Sequence, residues 1–120
     1  MRNKYYKRSK ISEAKCRQLL RYFAMDFTAT QTAELTDISR RSVNSIYALF
    51  RIRVQQWVNK QAPFNGIESF WSYAKWRLAR FNGFRHTHFI LHLKETEFRF
   101  NYRNNDLYSV MLKHLRADPL

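Results

Sequence analysis

The sequence predicts an all-α protein in which an N-terminal helix-turn-helix bundle is followed by three further helices. Two observations support this fold class. Apolar residues recur at intervals of three and four along successive segments, and capping residues stand where those segments begin. With only two glycines and two prolines in 120 residues, long flexible linkers and glycine-rich phosphate loops are not expected. A chain of this length holds one small domain or two miniature ones.

Charge restricts the class of partner. Lys and Arg number 22 against nine Asp and Glu, a net charge of +13, so nucleic acid is the first candidate and an anionic membrane the second. Residues 1–60 hold 13 basic and four acidic side chains, and residues 61–120 hold nine and five. We therefore expect the N-terminal half to face DNA.

Two further features suggest where the chain resides. The single cysteine, Cys16, excludes an internal disulfide and fits a small apolar packing position. The sequence has no extended apolar run and no signal-peptide pattern. We expect a cytoplasmic protein that is associated with the nucleoid through DNA and has no membrane partner.

Residues 2–10 form a basic segment, RNKYYKRSK, without apolar periodicity. Such a segment is either a solvated tail or an arm that follows phosphates or enters the minor groove. Its candidate DNA contacts are Arg2, Lys4, Lys7, Arg8 and Lys10. A first helix is predicted from Ser12 to about Met25, with an apolar stripe of Cys16, Leu19, Leu20 and Phe23.

Residues 28–53 have the pattern of a helix-turn-helix. Thr28 and Gln31 predict a capping box for a short helix, with Ala33 and Leu35 on its inner face. Asp37 occupies a turn position that many such units fill with Gly. Because Asp tolerates a left-handed backbone better than most residues, the turn is weakened but still possible.

The second helix of this pattern is capped by Ser39, and its inward residues are Val43, Ile46, Tyr47 and Phe50. In helix-turn-helix proteins the N-terminal part of this helix enters the major groove. Candidates for contact with base edges or phosphates are Arg40, Arg41, Ser42, Asn44 and Ser45. The alternative is that the arginines belong only to a solvated face.

The segment NGIESFWSYAKWRLARF, from Asn65 to Phe81, predicts an amphipathic helix. Its apolar stripe contains Ile67, Phe70, Trp71, Ala74, Leu78 and Phe81. On a different face Glu68 and Lys75 stand in line, two turns apart. Taken alone, Glu68 is best explained as the carboxylate of a capping box with Asn65.

Two more helices are predicted beyond Gly83, which ends the preceding one. The first is capped by Thr87 and carries His88 and His92 at a spacing that zinc accepts, although no further ligand stands nearby, so packing or surface roles are favoured. The last runs from Asp106 to Arg116 and turns inward Leu107, Val110, Met111 and Leu115.

NGIESFWSYAK, together with LHLKETEFRFN at 91–101, resembles the end of a bacterial insertion-sequence transposase of the DDE superfamily. The resemblance is to the group with a helix-turn-helix head, a ribonuclease-H-like core and an Asp-Asp-Glu/Asn-Lys signature. It implies that Glu68 corresponds to the third metal-binding carboxylate and that Lys75 corresponds to a DNA-contacting lysine. It also implies a head, residues 1–53, that binds the terminal inverted repeats of the element.

This chain departs from that family between its two blocks. The long catalytic core is missing, which predicts an internal deletion with a linker or junction at 54–64 and a three-helix remnant of the core at 65–120. Two-metal phosphoryl transfer needs several converging carboxylates, and the two that the family carries on core strands are absent. Glu68 and Lys75 are therefore expected to be vestigial, and Mg²⁺ is expected only for an intact family member.

The sequence thus predicts a truncated transposase that binds element ends but does not cleave DNA, and not an enzyme. The alternative is a small helix-turn-helix regulator or dimerising repressor-like protein; a nuclease completed by carboxylates of another chain and a pseudogene product that never folds also stay open. The aromatic load of the last three helices predicts self-association or marginal stability. The expected partners are double-stranded DNA and either a second copy or an intact transposase.

Overall fold

The computed structural model describes residues 5–6, 11–60, 67–79 and 86–120, with the backbone alone at 67 and 86–88. Helices form in these ranges and strands do not, which confirms the all-α class. The helices are α1 (Glu13–Ala24), α2 (Ala29–Thr36), α3 (Arg40–Asn59), α4 (Ile67–Leu78), α5 (His86–Asn101) and α6 (Leu107–Ala117). None of the described helices combines the length and the apolar character needed to cross a bilayer.

The helices divide between two compact units. The first contains Met1–Leu49 and Asn105–Leu120, and the second contains Phe50–Asn104. Helix α3 contributes its first half to one unit and its second half to the other. The division predicted from the sequence, at 1–53, 54–64 and 65–120, concerns ancestry and stays a prediction.

The first unit is built by α1, which packs against both α2 and α6. The predicted apolar stripe of α1 is buried in full, and the rings of Phe23 and Tyr47 meet edge to face with centroids 5.0 Å apart. Val43, Ile46 and Tyr47, predicted as inward residues of α3, are also buried, and so is Phe50, which belongs to the second unit. In α6 Met111 and Leu115 are buried, whereas Leu107 and Val110 are half-buried.

The predicted inner face of α2 is wrong. Leu35 is 55% exposed and Ala33 is half-buried, while Thr32 and Thr36 are buried. The hydroxyl groups of these threonines find hydrogen-bond partners inside the unit, so their burial carries little penalty. The face of α2 that points into the core is therefore formed by polar residues.

The predicted caps of the first unit are present. Ser12 Oγ accepts from the Lys15 amide at 3.2 Å, and the capping box of Thr28 and Gln31 has both of its hydrogen bonds. The predicted cap at Thr87 is wrong, because α5 begins at His86 and Thr87 lies in its first turn. The predicted cap Asn65 and the predicted stop at Gly83 lie outside the described residues.

The second unit is formed by α4, α5 and the end of α3. Phe70 and Ala74 of α4 pack with Phe100 of α5, and the ring centroids of Trp57 and Phe98 lie 5.7 Å apart. Helix α3 continues to Asn59 because the apolar spacing continues past Arg53. The residues that extend this stripe are buried: Val54, Trp57 and Val58.

A buried ionic cluster lies inside the second unit around Glu95. Its Oε2 accepts from Arg77 Nη2 at 2.8 Å and from Arg99 Nη2 at 2.8 Å, and its Oε1 accepts from Arg51 Nε at 2.8 Å. Arg77, which is fully buried, also donates to Thr96 Oγ1 at 2.7 Å. Arg99 is one helical turn from Glu95 on α5, whereas Arg77 and Arg51 reach it from α4 and α3.

Burial and the neighbouring positive charges shift the pKa of Glu95 in opposite directions. Burial alone would raise the pKa of this carboxyl, but the attraction of Arg99, Arg77 and Arg51 outweighs it and holds the pKa well below its usual range. The carboxylate is therefore ionised at neutral pH. It is also the group that makes it possible to bury the guanidinium of Arg77.

Replacing Glu95 by Gln should destabilise the protein by about 3 to 5 kcal/mol, because it leaves buried guanidinium groups without a counter-charge. Glu97→Gln is a matched control on the same helix. Glu97 has a half-buried side chain and lies 3.6 Å from a single cation, Lys94, so its loss should cost less than that of Glu95. Urea denaturation at pH 7 measures both values, and equal values would show that the cluster contributes no special stability.

The stabilisation by Glu95 should also depend on pH. A depressed folded pKa gives stability that is fully present above the pKa of an unfolded Glu, about 4.3, and that is lost as the pH falls toward the folded value. The difference in unfolding free energy between the natural protein and Glu95→Gln should therefore narrow below about pH 4. A difference that stays constant from pH 7 to pH 3 would contradict this.

Candidate nucleic-acid interface

Three hydrogen bonds hold the turn between α2 and α3. Asp37 ends α2 in the left-handed conformation, with φ 59°, and its amide donates to Ala33 O at 3.1 Å. The amide of Ile38 donates to Thr36 Oγ1 at 3.4 Å. Lys15 of α1 donates from Nζ to Thr36 O at 3.0 Å, which places a cation at the negative end of α2. The turn that the sequence predicts to be weakened by Asp37 is therefore formed, and Asp37 adopts the left-handed backbone there.

A buried hydrogen bond joins α2 directly to α3. The hydroxyl oxygens of Thr32 and Tyr47 lie 2.6 Å apart. Thr36 Oγ1 donates to Thr32 O at 2.7 Å on the same side of α2. Because both hydroxyls are shielded from water, breaking this bond leaves a polar group without its partner. This contact constrains the orientation of α3 relative to α2.

The start of α3 presents the predicted DNA-reading residues to solvent. All five of them, from Arg40 to Ser45, are exposed. Within the described residues the side chains of Arg40, Arg41 and Asn44 make no hydrogen bond or ion pair. Arg40 and Asn44 are one helical turn apart, so they lie on the same side of α3.

The serines of this face are partly occupied within the helix. Ser39 Oγ caps α3 by accepting from the Ser42 amide at 3.1 Å, and its hydroxyl donates to Ser42 Oγ at 2.9 Å. Ser45 donates to Arg41 O at 3.0 Å. Ser42 can still donate and Ser45 can still accept. The guanidinium and amide groups are therefore the better placed for contacts outside the chain.

The charge at the start of α3 is unfavourable for an isolated helix. Its first turn carries Arg40 and Arg41 and has no acidic residue. Cations near a helix N-terminus oppose the helix dipole. A phosphate at this end would be attracted by the dipole and by both arginines. The arrangement thus suits an anionic partner better than a purely structural role.

Tyr5, within the basic segment 2–10, belongs to the first unit. Tyr5 is buried, and its carbonyl oxygen accepts from the Leu120 amide at 2.8 Å. The cations predicted to bind DNA from this segment lie outside the described residues: Arg2, Lys4, Lys7, Arg8 and Lys10. Their DNA contacts stay predictions.

Glu68 and Lys75 are both exposed on α4, and the roles that the family resemblance implies for them stay predictions. The second unit has two other acidic residues. Glu95 is held by arginines, and Glu97 lies 3.6 Å from Lys94. Across the described ranges, no three His, Cys, Asp or Glu residues are grouped as metal ligands. The His88 side chain is outside those ranges.

Sequence patterns did not indicate two buried polar contacts, one in each unit. Thr32 and Tyr47 form a contact that hydrophobic periodicity does not register, although their polar groups at core-facing positions were a usable signal. Arg77 lies three residues after Ala74 and seven after Phe70, on the buried side of α4. A basic residue at such a position requires a carboxylate partner, which Glu95 provides.

Comparison with known proteins relates the chain to transposases over a short stretch. A segment of 37 residues, 31% of this chain, is 57% identical to a protein of Haemophilus influenzae described as an "Uncharacterized transposase-like protein". The matched stretch spans 30% of the length of that relative. No family model matches the chain, and no solved structure matches it.

The Thr32–Tyr47 bond can be tested with a double-mutant cycle. Thr32→Val and Tyr47→Phe should each destabilise the protein by about 1 to 3 kcal/mol, because each leaves one buried hydroxyl without its partner. The double variant should lose less than the sum of the two. Urea denaturation gives the three values, with exposed Ser45→Ala as a control expected within about 0.5 kcal/mol. Strictly additive losses would show that the two hydroxyls do not interact.

Proposed function

We propose that this chain is an internally deleted insertion-sequence transposase of the DDE superfamily that binds the terminal inverted repeats of its element and does not cleave them. One observation carries the binding half of this proposal. Arg40, Arg41 and Asn44 extend into solvent from the first two turns of a helix whose position is fixed by buried hydrogen bonds. The 37-residue match to a transposase-like protein supports the ancestry.

In the proposed complex the N-terminal part of α3 enters the major groove. A guanidinium there pairs with O6 and N7 of guanine, and the amide of Asn44 pairs with N6 and N7 of adenine. The basic arm, held at Tyr5, follows the phosphates beside the groove. The shorter side chains of Ser42 and Ser45 contact the DNA backbone or the base edges.

The proposed lack of cleavage rests on the supply of carboxylates. All nine acidic residues of the chain lie in the described ranges. Glu68 stands on the outer face of α4, and the other two carboxylates of its unit are directed at Arg and Lys side chains. Two-metal chemistry needs several carboxylates around one site. In this proposal Glu68 and Lys75 are vestiges of such a site, while association with a second copy or an intact transposase stays a prediction.

Binding by α3 should be sensitive to single side chains. Arg40→Ala or Arg41→Ala should weaken duplex binding by about 1 to 3 kcal/mol if the residue reads a base, or reduce the salt slope by about 1 if it contacts a phosphate. Lys113→Ala is the control, since it removes an equal charge from an exposed position on α6 of the same unit. Titrations at several salt concentrations measure both effects, and equal effects for all three variants would contradict a specific α3 interface.

The lack of cleavage should persist with divalent metal. Supercoiled plasmid carrying the element ends should remain unnicked by the purified chain in Mg²⁺ or Mn²⁺. Glu68→Gln should behave like the natural protein in the same gel assay. Nicking by the natural protein that disappears in Glu68→Gln would contradict the proposal and would identify Glu68 as a working ligand.

A further inference from the structure

The outer face of α4, defined here by Glu68, Trp71, Ser72, Lys75, Trp76 and, directly after the helix, Ala79, is exposed to solvent. Two tryptophans on one helix face are 46% and 65% exposed, Trp71 and Trp76. These indoles remain in water although the same helix buries Phe70 and Ala74. Nothing in the proposed binding by α3 uses this face, which lies in the second unit.

The two indoles stand at opposite edges of the outer face of α4. Helical geometry separates Trp71 and Trp76 by five residues, about 7.5 Å along the axis, and places Lys75 between them. Each ring is supported by another aromatic ring. The centroid of Trp71 lies 5.3 Å from that of Phe70, and the centroid of Trp76 lies 6.2 Å from that of Tyr73.

From this arrangement we propose that the outer face of α4 is a stacking surface for single-stranded nucleic acid. Unpaired bases offer flat apolar faces to exposed aromatic side chains, while a nearby cation attracts the phosphates. Lys75 supplies that cation, and its side chain makes no hydrogen bond or ion pair within the described residues. A duplex keeps its bases stacked on one another, so it cannot occupy the indoles in the same way.

Charge favours this occupant over a second copy of the chain. The second unit holds ten Lys and Arg against three Glu, so two such units repel each other while a polyanion is attracted. The residues between the tryptophans also disfavour a protein partner. Ser72 and Lys75 lie between the two indoles on this face, and Ser and Lys are depleted in protein–protein interfaces.

The test uses the full chain and fluorescein-labelled 15-mers of dT, of rU and of mixed-sequence duplex DNA, with anisotropy as the readout. Trp71→Ala and Trp76→Ala should each weaken binding of single strands about 10-fold, as expected for the loss of one stacked base. Trp71→Phe and Trp76→Phe should keep most of the affinity. Quenching of tryptophan fluorescence should accompany binding, because Trp57 is buried and the other two are not. The dT and rU arms show whether the 2′-hydroxyl matters.

Two controls separate this proposal from others. Ile90→Ala removes an equally exposed apolar side chain, 49% exposed, from α5 of the same unit and should leave the affinity unchanged. Arg40→Ala should lower duplex binding and leave single-strand binding unchanged, so failure of the α3 proposal and failure of this one give different results. The proposal is overturned if the tryptophan variants bind single strands like the natural protein. It is equally overturned if sedimentation shows a dimer that Trp76→Ala dissociates.

Discussion

Negative charge is scarce in this molecule: nine carboxylates accompany 22 lysines and arginines. Glu95 shows the consequence most clearly: this single buried carboxylate accepts hydrogen bonds from three guanidinium groups. Its pKa lies well below the usual range since the attraction of the arginines outweighs the effect of burial. A carboxylate used in this way is not available to hold a metal ion. Among the described residues, Arg40, Arg41, Lys75 and Lys113 are exposed, where polyanions can reach them.

The helices of the first unit and the caps at Ser12, Thr28 and Ser39 could be predicted from the sequence because both depend on short-range rules. Ser12, Thr28 with Gln31, and Ser39 form the caps that their positions predict. The left-handed turn at Asp37 follows from the same local chemistry. The apolar stripes of α1 and of the first half of α3 are likewise buried, since a one-sided stripe has to find a core.

Features that depend on distant partners could not be predicted in the same way. Leu35 is an apolar residue, yet it is exposed, because Thr32 and Thr36 occupy the buried face of α2 instead. Their hydroxyl groups can be buried there since each finds a hydrogen-bond partner inside the first unit. Arg77 is buried because Glu95, 18 residues later, faces it. In α4 the stripe was predicted too wide, since Trp71 is nearly half exposed while Phe70 and Ala74 are buried. For the candidate site, exposure of the five α3 residues was predictable, but the bond that fixes their helix was not.

A 37-residue stretch relates this chain to a transposase-like protein, and we propose that the exposed start of α3 binds duplex DNA while the acidic residues do not assemble a cleavage site. The most direct test is a footprint of the purified chain on duplex DNA that flanks its own gene, with and without Mg²⁺. The account predicts protection of the terminal inverted repeats and intact strands in both conditions. Protection of a single internal palindrome would indicate a regulator instead. No protection of the repeats, or metal-dependent breaks within them, would contradict the central claim.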